Sequence, residues 1–240
     1  MKIRDFSELV LLTTKVSDGN MSFFKEKKEV LKNRKKFAEK FGLNLDNFVV
    51  LYLQHKDKVY SATIKDLGRG AKDTNTVIKA DAAVTNRKGV YLSILTADCL
   101  PICIYDPKTK AISIAHVSRH NIYKIIKNTI NKLKKEFNIF PRNLIVNVGP
   151  SIGSCHFEID LWKIAEEELK VLGVFEKNIN NQRICTFESP DYFSQRKAKS
   201  QNLPDNRFAT IFGIRICSQD PENMIYSKRI NSKFKILNPK

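Results

Sequence analysis

Tyr91-Leu92-Ser93-Ile94-Leu95-Thr96-Ala97-Asp98-Cys99-Leu100-Pro101-Ile102-Cys103-Ile104-Tyr105, followed by Asp106-Pro107-Lys108-Thr109 and by Ala111-Ile112-Ser113-Ile114-Ala115-His116, decides how this chain is read. Tyr91 to Leu95 and Leu100 to Tyr105 are apolar runs of strand length. Asp106-Pro107-Lys108-Thr109 carries turn residues, and Ala111 to Ala115 is a third apolar run. The last two runs predict a hairpin that ends at His116. Cys99 and His116 then stand at the two ends of a strand-turn-strand and can face one pocket, as ligands of a metal or as nucleophile and base. The chain holds only five Cys and four His, so chance has little material for such a pairing.

Working outward, Lys25 to Phe41 has helical spacing, with Val30, Leu31, Phe37, Ala38 and Phe41 apolar, and Gly42 closes it. Phe48 to Leu53 is a β-rich run leading to His55. Ile122, Ile125, Ile126, Thr129, Ile130 and Leu133 mark one face of a helix from about Asn121 to Phe137. Leu144 to Val148 reads as a strand entering Gly149-Pro150-Ser151-Ile152-Gly153-Ser154-Cys155. A helix over Leu161 to Leu172 follows, closed by Gly173; residues 174–200 are less regular, and Phe208 to Ile216 is a final strand. Strands and helices mix without strict βαβ alternation. The expectation is an α/β (or α+β) fold with a mixed sheet, in one domain over residues 1–240.

With 42% apolar and 28% charged residues the composition is that of a globular protein, and the length suffices for a sizeable core. No apolar run approaches the roughly 20 residues that span a bilayer. Met1-Lys2-Ile3-Arg4-Asp5 does not open a signal peptide, and an odd Cys count fits a reducing compartment, so the cytoplasm is the expected location. The net charge of +17 raises nucleic acid as a partner. The lysines, however, spread over the polar faces of the helices without an aromatic-interleaved basic motif, so solvated surface is the favoured reading.

His55, Cys99 and His116 each have an ordinary structural use when taken singly, and Cys103 suits plain core packing. Together, one Cys and two His at strand ends match the three-ligand arrangement of catalytic zinc, which keeps a fourth position for water or substrate. The alternatives are a metal-free Cys99–His116 hydrolase and, from the net charge, a non-catalytic basic binding protein for RNA or an acidic partner that retains a degenerate site.

Further elements carry a resemblance. Leu53-Gln54-His55-Lys56-Asp57-Lys58-Val59, Asp81-Ala82-Ala83-Val84-Thr85, Thr96-Ala97-Asp98-Cys99-Leu100-Pro101, Ala115-His116 and Gly149-Pro150-Ser151-Ile152-Gly153-Ser154-Cys155-His156-Phe157-Glu158-Ile159 resemble, in order, motifs of one family. Weaker echoes are Asn33-Arg34 and Phe193-Ser194-Gln195-Arg196. The family is the laccase-domain or multicopper polyphenol oxidase family, also described as purine nucleoside phosphorylases and as peptidoglycan editing factors. The resemblance implies a zinc held by His55, Cys99 and His116, and a fold akin to a toxin's cysteine-deamidase domain. It implies phosphorolysis of adenosine, inosine or methylthioadenosine, or deamination of adenosine, with a purine nucleoside and phosphate as small-molecule partners. Peptidoglycan precursor editing is the activity the metal-free reading would serve. The oxidase name implies copper, but a multicopper cluster would call on many imidazoles and this chain has four.

Within this resemblance Asp98 is a candidate proton carrier, a partner of an imidazole, or a turn cap. Gly149 and Gly153 are candidates for anion binding through their N–H groups, and Cys155 for lining the pocket. One departure stands out: the family's His-Ala-Gly-Trp-Arg-Gly is replaced by His116-Val117-Ser118-Arg119-His120-Asn121, which leaves Arg119 and His120 as the candidate substrate contacts.

Overall fold

The hairpin is the centre of the molecule. The computed structural model describes residues 2–23 and 26–216, and its β-strands, numbered in chain order, are β1 (Leu9–Thr13), β2 (Phe48–Tyr52), β3 (Val59–Ser61), β4 (Ile78–Lys79), β5 (Ala82–Thr85), β6 (Tyr91–Thr96), β7 (Leu100–Asp106), β8 (Ala111–Val117), β9 (Ile145–Val148), β10 (Ile179–Asn181) and β11 (Phe208–Ile214). The α-helices are α1 (Lys27–Lys40), α2 (Ile122–Phe137), α3 (Leu161–Val171) and α4 (Gln195–Ser200). β7 and β8 pair antiparallel with Leu100 opposite Val117 and Asp106 opposite Ala111. The Asp106 carboxylate closes their turn by accepting from the N–H of Lys108 (3.2 Å) and the hydroxyl of Thr109 (2.8 Å).

Two mixed sheets result, one in the order β1-β11-β6-β2-β4 and the other β10-β9-β7-β8-β5-β3. They stack face to face, and the period of two along each strand divides its residues between layers. On the first sheet Val49, Leu92, Ile94 and Phe212 face inward and meet Cys103, Tyr105, Ile112 and Ile114 of the second. Their alternates Phe48, Val50, Tyr91 and Ile211 face outward onto Phe37 and Ala38 of α1. The other face of the second sheet, with Leu100, Ile102 and Ile104, is covered by Ile122, Ile125, Ile126 and Ile130 of α2 and by α3. Every residue of β7, β8 and β11 is buried, which fits their predominantly apolar character. Each isoleucine so covered contributes about 1.5–3 kcal/mol of transfer free energy.

The expected mixed α/β architecture is therefore the observed one. Lys25, where the sequence pattern starts the first helix, lies outside the described residues, as do Met1 and residues 217–240 of the expected domain. The last strand ends at Ile214, two residues short of Ile216. Residues 174–200, less regular by pattern, contain β10 and α4. No helix among the described residues is long and apolar enough to cross a membrane.

Candidate metal centre

β4, β2 and β6 are neighbours in the first sheet, and β2 runs parallel to both. Their carboxyl ends therefore lie at one edge. From that edge each chain segment leaves for the second sheet, into β5, β3 and β7 respectively. The three connections run side by side and bring Asp81, His55 and Cys99 together. His116 joins them because β8 ends beside the start of β7, with Pro101 opposite His116.

Asp81 organises the cluster. Fully buried, its carboxylate accepts from the backbone N–H groups of Gln54 (3.1 Å), His55 (2.8 Å) and Lys56 (3.0 Å), and bonds Nδ1 of His116 at 2.9 Å. A concave run of N–H groups is a natural seat for an anion. Here the anion offsets the cost of His55's left-handed backbone, φ +58°, which is on the order of 1–2 kcal/mol for a residue with a Cβ. By occupying Nδ1 of His116, the same carboxylate leaves the ring's Nε2 to the cluster.

One ligand atom each from His55, Cys99 and His116 lies within 4.8 Å of the others. Cys99 Sγ is 3.9 Å from His55 Nε2, and the two imidazoles meet edge to face, centroids 4.8 Å apart. Burial raises the Cys99 thiol, but the side chains of His116 and His55 outweigh it and bring the pKa down to about 6. Burial lowers the His116 imidazolium, and Asp81 and the Cys99 sulfur more than reverse that, to about 9. One thiolate and two imidazoles, with a carboxylate behind one ring, are the donor chemistry that suits zinc, so the residues fit one such ion. They do not fit a multicopper cluster, for which the chain's four His are too few.

The trio lines a cavity of about 240 Å³ with an apolar wall that includes Val50, Leu53, Val77 and Leu95. Such a volume suits a small molecule. Arg34 and Arg207 also line it. Arg34 is held by the carbonyls of Met21, Gly70 and Ala71 and by the ring of Phe23, its pKa lowered to about 10 by burial. Arg207 is paired with Asp205. The hydroxyl of Thr96, on the same wall, is buried without a hydrogen-bond partner among the described residues.

The remaining sequence candidates are distributed differently. Arg119 and His120 are exposed beside the cluster. The His120 ring centroid is 6.4 Å from that of His55, and Arg119 bonds His120 (3.2 Å) and Glu158 (3.3 Å). The Asp98 carboxylate bonds the Thr186 hydroxyl (2.8 Å) and the Arg196 N–H (2.7 Å). It therefore ties the turn before Cys99 to the segment leading into α4, while Asp81 is the carboxylate that meets an imidazole. The Gly149 N–H is occupied by the carbonyl of Pro101 (2.9 Å) and that of Gly153 points at Cys185 Sγ (3.3 Å), so neither is open to an anion. A Cβ would meet Pro101 at Gly149 (2.7 Å) and Trp162 at Gly153 (3.0 Å), and close approach is what these glycines permit. Cys155 is exposed and lies outside the cavity lining. Sequence reasoning missed the role of Asp81, whose one local signal is an acid immediately before the apolar Ala82–Thr85.

Comparison with known proteins places the chain among relatives. The chain is 30% identical over 134 residues to purine nucleoside phosphorylase YlmD of Bacillus subtilis, covering 55% of this chain and 48% of that protein. It is 27% identical over 195 residues to purine nucleoside phosphorylase LACC1 of Mus musculus, covering 68% and 43%. The chain thus spans about half the length of the curated relatives it matches. The crystal structure of Bacillus licheniformis hypothetical protein YfiH superposes with a TM-score of 0.83 at 21% identity, over 89% of this chain and 96% of that one, which establishes a shared fold. Residues 13–160 and 158–214 match the family model for multi-copper polyphenol oxidoreductase laccase, and the chain belongs to that family.

Proposed function

We propose that this protein is a metal-dependent purine nucleoside phosphorylase acting on adenosine, inosine or methylthioadenosine, with one zinc held by His55, Cys99 and His116. The observation that carries the reading is the trio itself, supported by a buried Asp81 and set in the wall of a cavity of small-molecule size. The names of the curated relatives supply the substrate class. A zinc bound there supplies Lewis acidity. The apolar wall of Val50, Leu53, Val77 and Leu95 excludes water from a base or sugar lying against it, and Arg34, held by backbone carbonyls, gives the cavity the positive charge that suits phosphate. Asp81 fixes the His116 ring and the His55 backbone, so the site is arranged before substrate arrives. In phosphorolysis a phosphate oxygen bonds the sugar's anomeric carbon while the bond to the purine nitrogen breaks, and the base leaves with that electron pair and takes up a proton. The cytoplasm is the compartment in which such thiols stay reduced.

The test is turnover of adenosine, inosine and methylthioadenosine by metal-loaded protein, with and without phosphate, by chromatography of the products. Free base together with a sugar 1-phosphate, formed only when phosphate is present and absent in Cys99→Ala, is the expected result. Inosine formed from adenosine without phosphate would move the reading to deamination, and no turnover by fully loaded protein would overturn it.

One observation favours a second reading. Burial raises the Cys99 thiol, but His116 and His55 draw it down to about 6; burial lowers the His116 imidazolium, but Asp81 and Cys99 raise it to about 9. These shifts support a thiolate–imidazolium pair when no metal is bound, the resting form of a cysteine hydrolase. Protein purified without zinc whose Cys99 acylates with an amide substrate would favour that reading.

A further inference from the structure

A second group of soft and hard donors converges at a corner outside the cavity, and we propose that Cys155, His156 and Glu188 form a second binding site for a zinc-class divalent cation, with Cys185 next in reach. One ligand atom from each of the first three lies within 4.8 Å of the others. His156 Nε2 and Glu188 Oε1 are 3.4 Å apart, the edge of about 3.4 Å that bonds of about 2.0–2.2 Å make around a tetrahedral zinc. Cys155 Sγ and Cys185 Sγ are 3.7 Å apart, close to the roughly 3.8 Å that two thiolates on one zinc adopt.

The backbone builds the corner from two turns joined by a bridge. Ser151 and Cys185 pair as a parallel bridge, with Ser151 N–H donating to Ile184 (3.1 Å) and Thr186 N–H to Ser151 (3.0 Å). From the bridge one strand enters a turn closed by His156 N–H on the Gly153 carbonyl (3.0 Å), which presents Cys155 and His156. The other enters a turn closed by Ser189 N–H on the Cys185 carbonyl (2.9 Å), which puts Cys185 and Glu188 three residues apart on one side. The His156 ring is fixed by stacking on Phe187, centroids 3.9 Å apart and planes 23° apart. Burial, then Cys185 and Glu188, push the Cys155 thiol up. A divalent cation reverses that balance: the thiol proton goes to solvent and the sulfur bonds the metal.

A metal at this corner joins residues 151–158 to residues 185–189. Both segments hold Asp98, whose carbonyl accepts from Ile152 N–H (2.9 Å) and whose carboxylate accepts from the Thr186 hydroxyl (2.8 Å). Its expected effect is therefore to brace the turn that presents Cys99.

The experiment is zinc and cobalt(II) titration of the full chain under a phosphine reductant, followed by calorimetry and visible absorption. Wild type should bind two equivalents per chain, Cys155→Ala and His156→Ala one each. A His55→Ala/Cys99→Ala variant should retain one equivalent with sulfur-to-cobalt charge-transfer absorption. One equivalent in wild type that folded Cys155→Ala still binds, or two in folded Cys155→Ala, would overturn the proposal. The comparison of wild type with the corner variants does not require the His55→Ala/Cys99→Ala variant to fold. Because the readout is stoichiometry, it stands or falls separately from nucleoside turnover.

Discussion

The cluster at the sheet edge and the cluster at the 155–188 corner contain the same kinds of side chain, a thiol, an imidazole and a carboxylate, in two different settings. At the edge the carboxylate of Asp81 is fully buried and stands behind the donors, bonded to His116 and to three consecutive N–H groups. At the corner the carboxylate of Glu188 is itself a donor, its side chain 62% exposed, and pairs with a half-buried His156. At the edge two imidazoles outweigh burial and draw the Cys99 thiol down; at the corner burial, then Cys185 and Glu188, push the Cys155 thiol up. The same residue type is thus shifted in opposite directions by its setting. What sets the direction is which group stands behind the donor and how much water reaches it.

The largest effect that would sharpen this contrast is expected from Asp81→Asn. The variant keeps the shape but places an amide where four donors converge, and breaking a buried charged network of this kind costs about 3–5 kcal/mol. Zinc affinity at the edge should fall by about 10–100-fold in chelator competition. Glu188→Gln, exposed, should change thermal stability by less than about 0.5 kcal/mol while weakening only the corner metal. Equal loss of stability in the two variants would remove the distinction between supporting and donating carboxylates.

A second effect, smaller and chemical, concerns alkylation of the metal-stripped protein with iodoacetamide, followed residue by residue in a mass spectrometer. The Cys99 pKa lies near 6, below that of an ordinary thiol, so its thiolate persists through neutral pH and is lost as the pH falls below 6. Its rate should be nearly flat from pH 7 to 8 and drop about tenfold between pH 7 and 5. Cys155, shifted the other way, should react at pH 7 mainly through a small thiolate fraction and accelerate steadily as the pH rises. A Cys99 rate that climbs with pH as Cys155 does would break the proposed pairing with His116.

How far the sequence could disclose these two settings depends on the range of their interactions. The β7–β8 hairpin and α2 are legible because their signals are local: an apolar run, a turn at Asp106-Pro107 and a helical stripe from Ile122 to Leu133. β4 has two residues and β3 and β10 three each, the latter two only half-buried, too short for a period to register. His55, Cys99 and His116 stand out by residue type. Asp81 does not, because its partners at 54–56 and 116 are brought to it only when three strands leave one sheet edge together. The corner likewise depends on the bridge between Ser151 and Cys185, which no local pattern announces.

The smallest expected effect separates the cavity wall from the core. The hydroxyls of Thr96 and Ser113 are both buried and both without a partner among the described residues, yet only Thr96 lines the cavity with the trio. An unsatisfied hydroxyl in an apolar setting costs about 1–3 kcal/mol. Thr96→Val and Ser113→Ala should therefore each leave the folded protein as stable as before or more stable by about 1 kcal/mol, read from urea denaturation. Their binding behaviour should diverge. If the Thr96 hydroxyl meets a polar atom of the nucleoside, Thr96→Val forfeits one hydrogen bond and weakens nucleoside binding by about three- to tenfold, whereas Ser113→Ala leaves it unchanged. Equal affinities in both variants would mean that the Thr96 hydroxyl faces no polar atom of the ligand. The cavity's selectivity would then rest on its apolar wall, on Arg34 and on the metal centre.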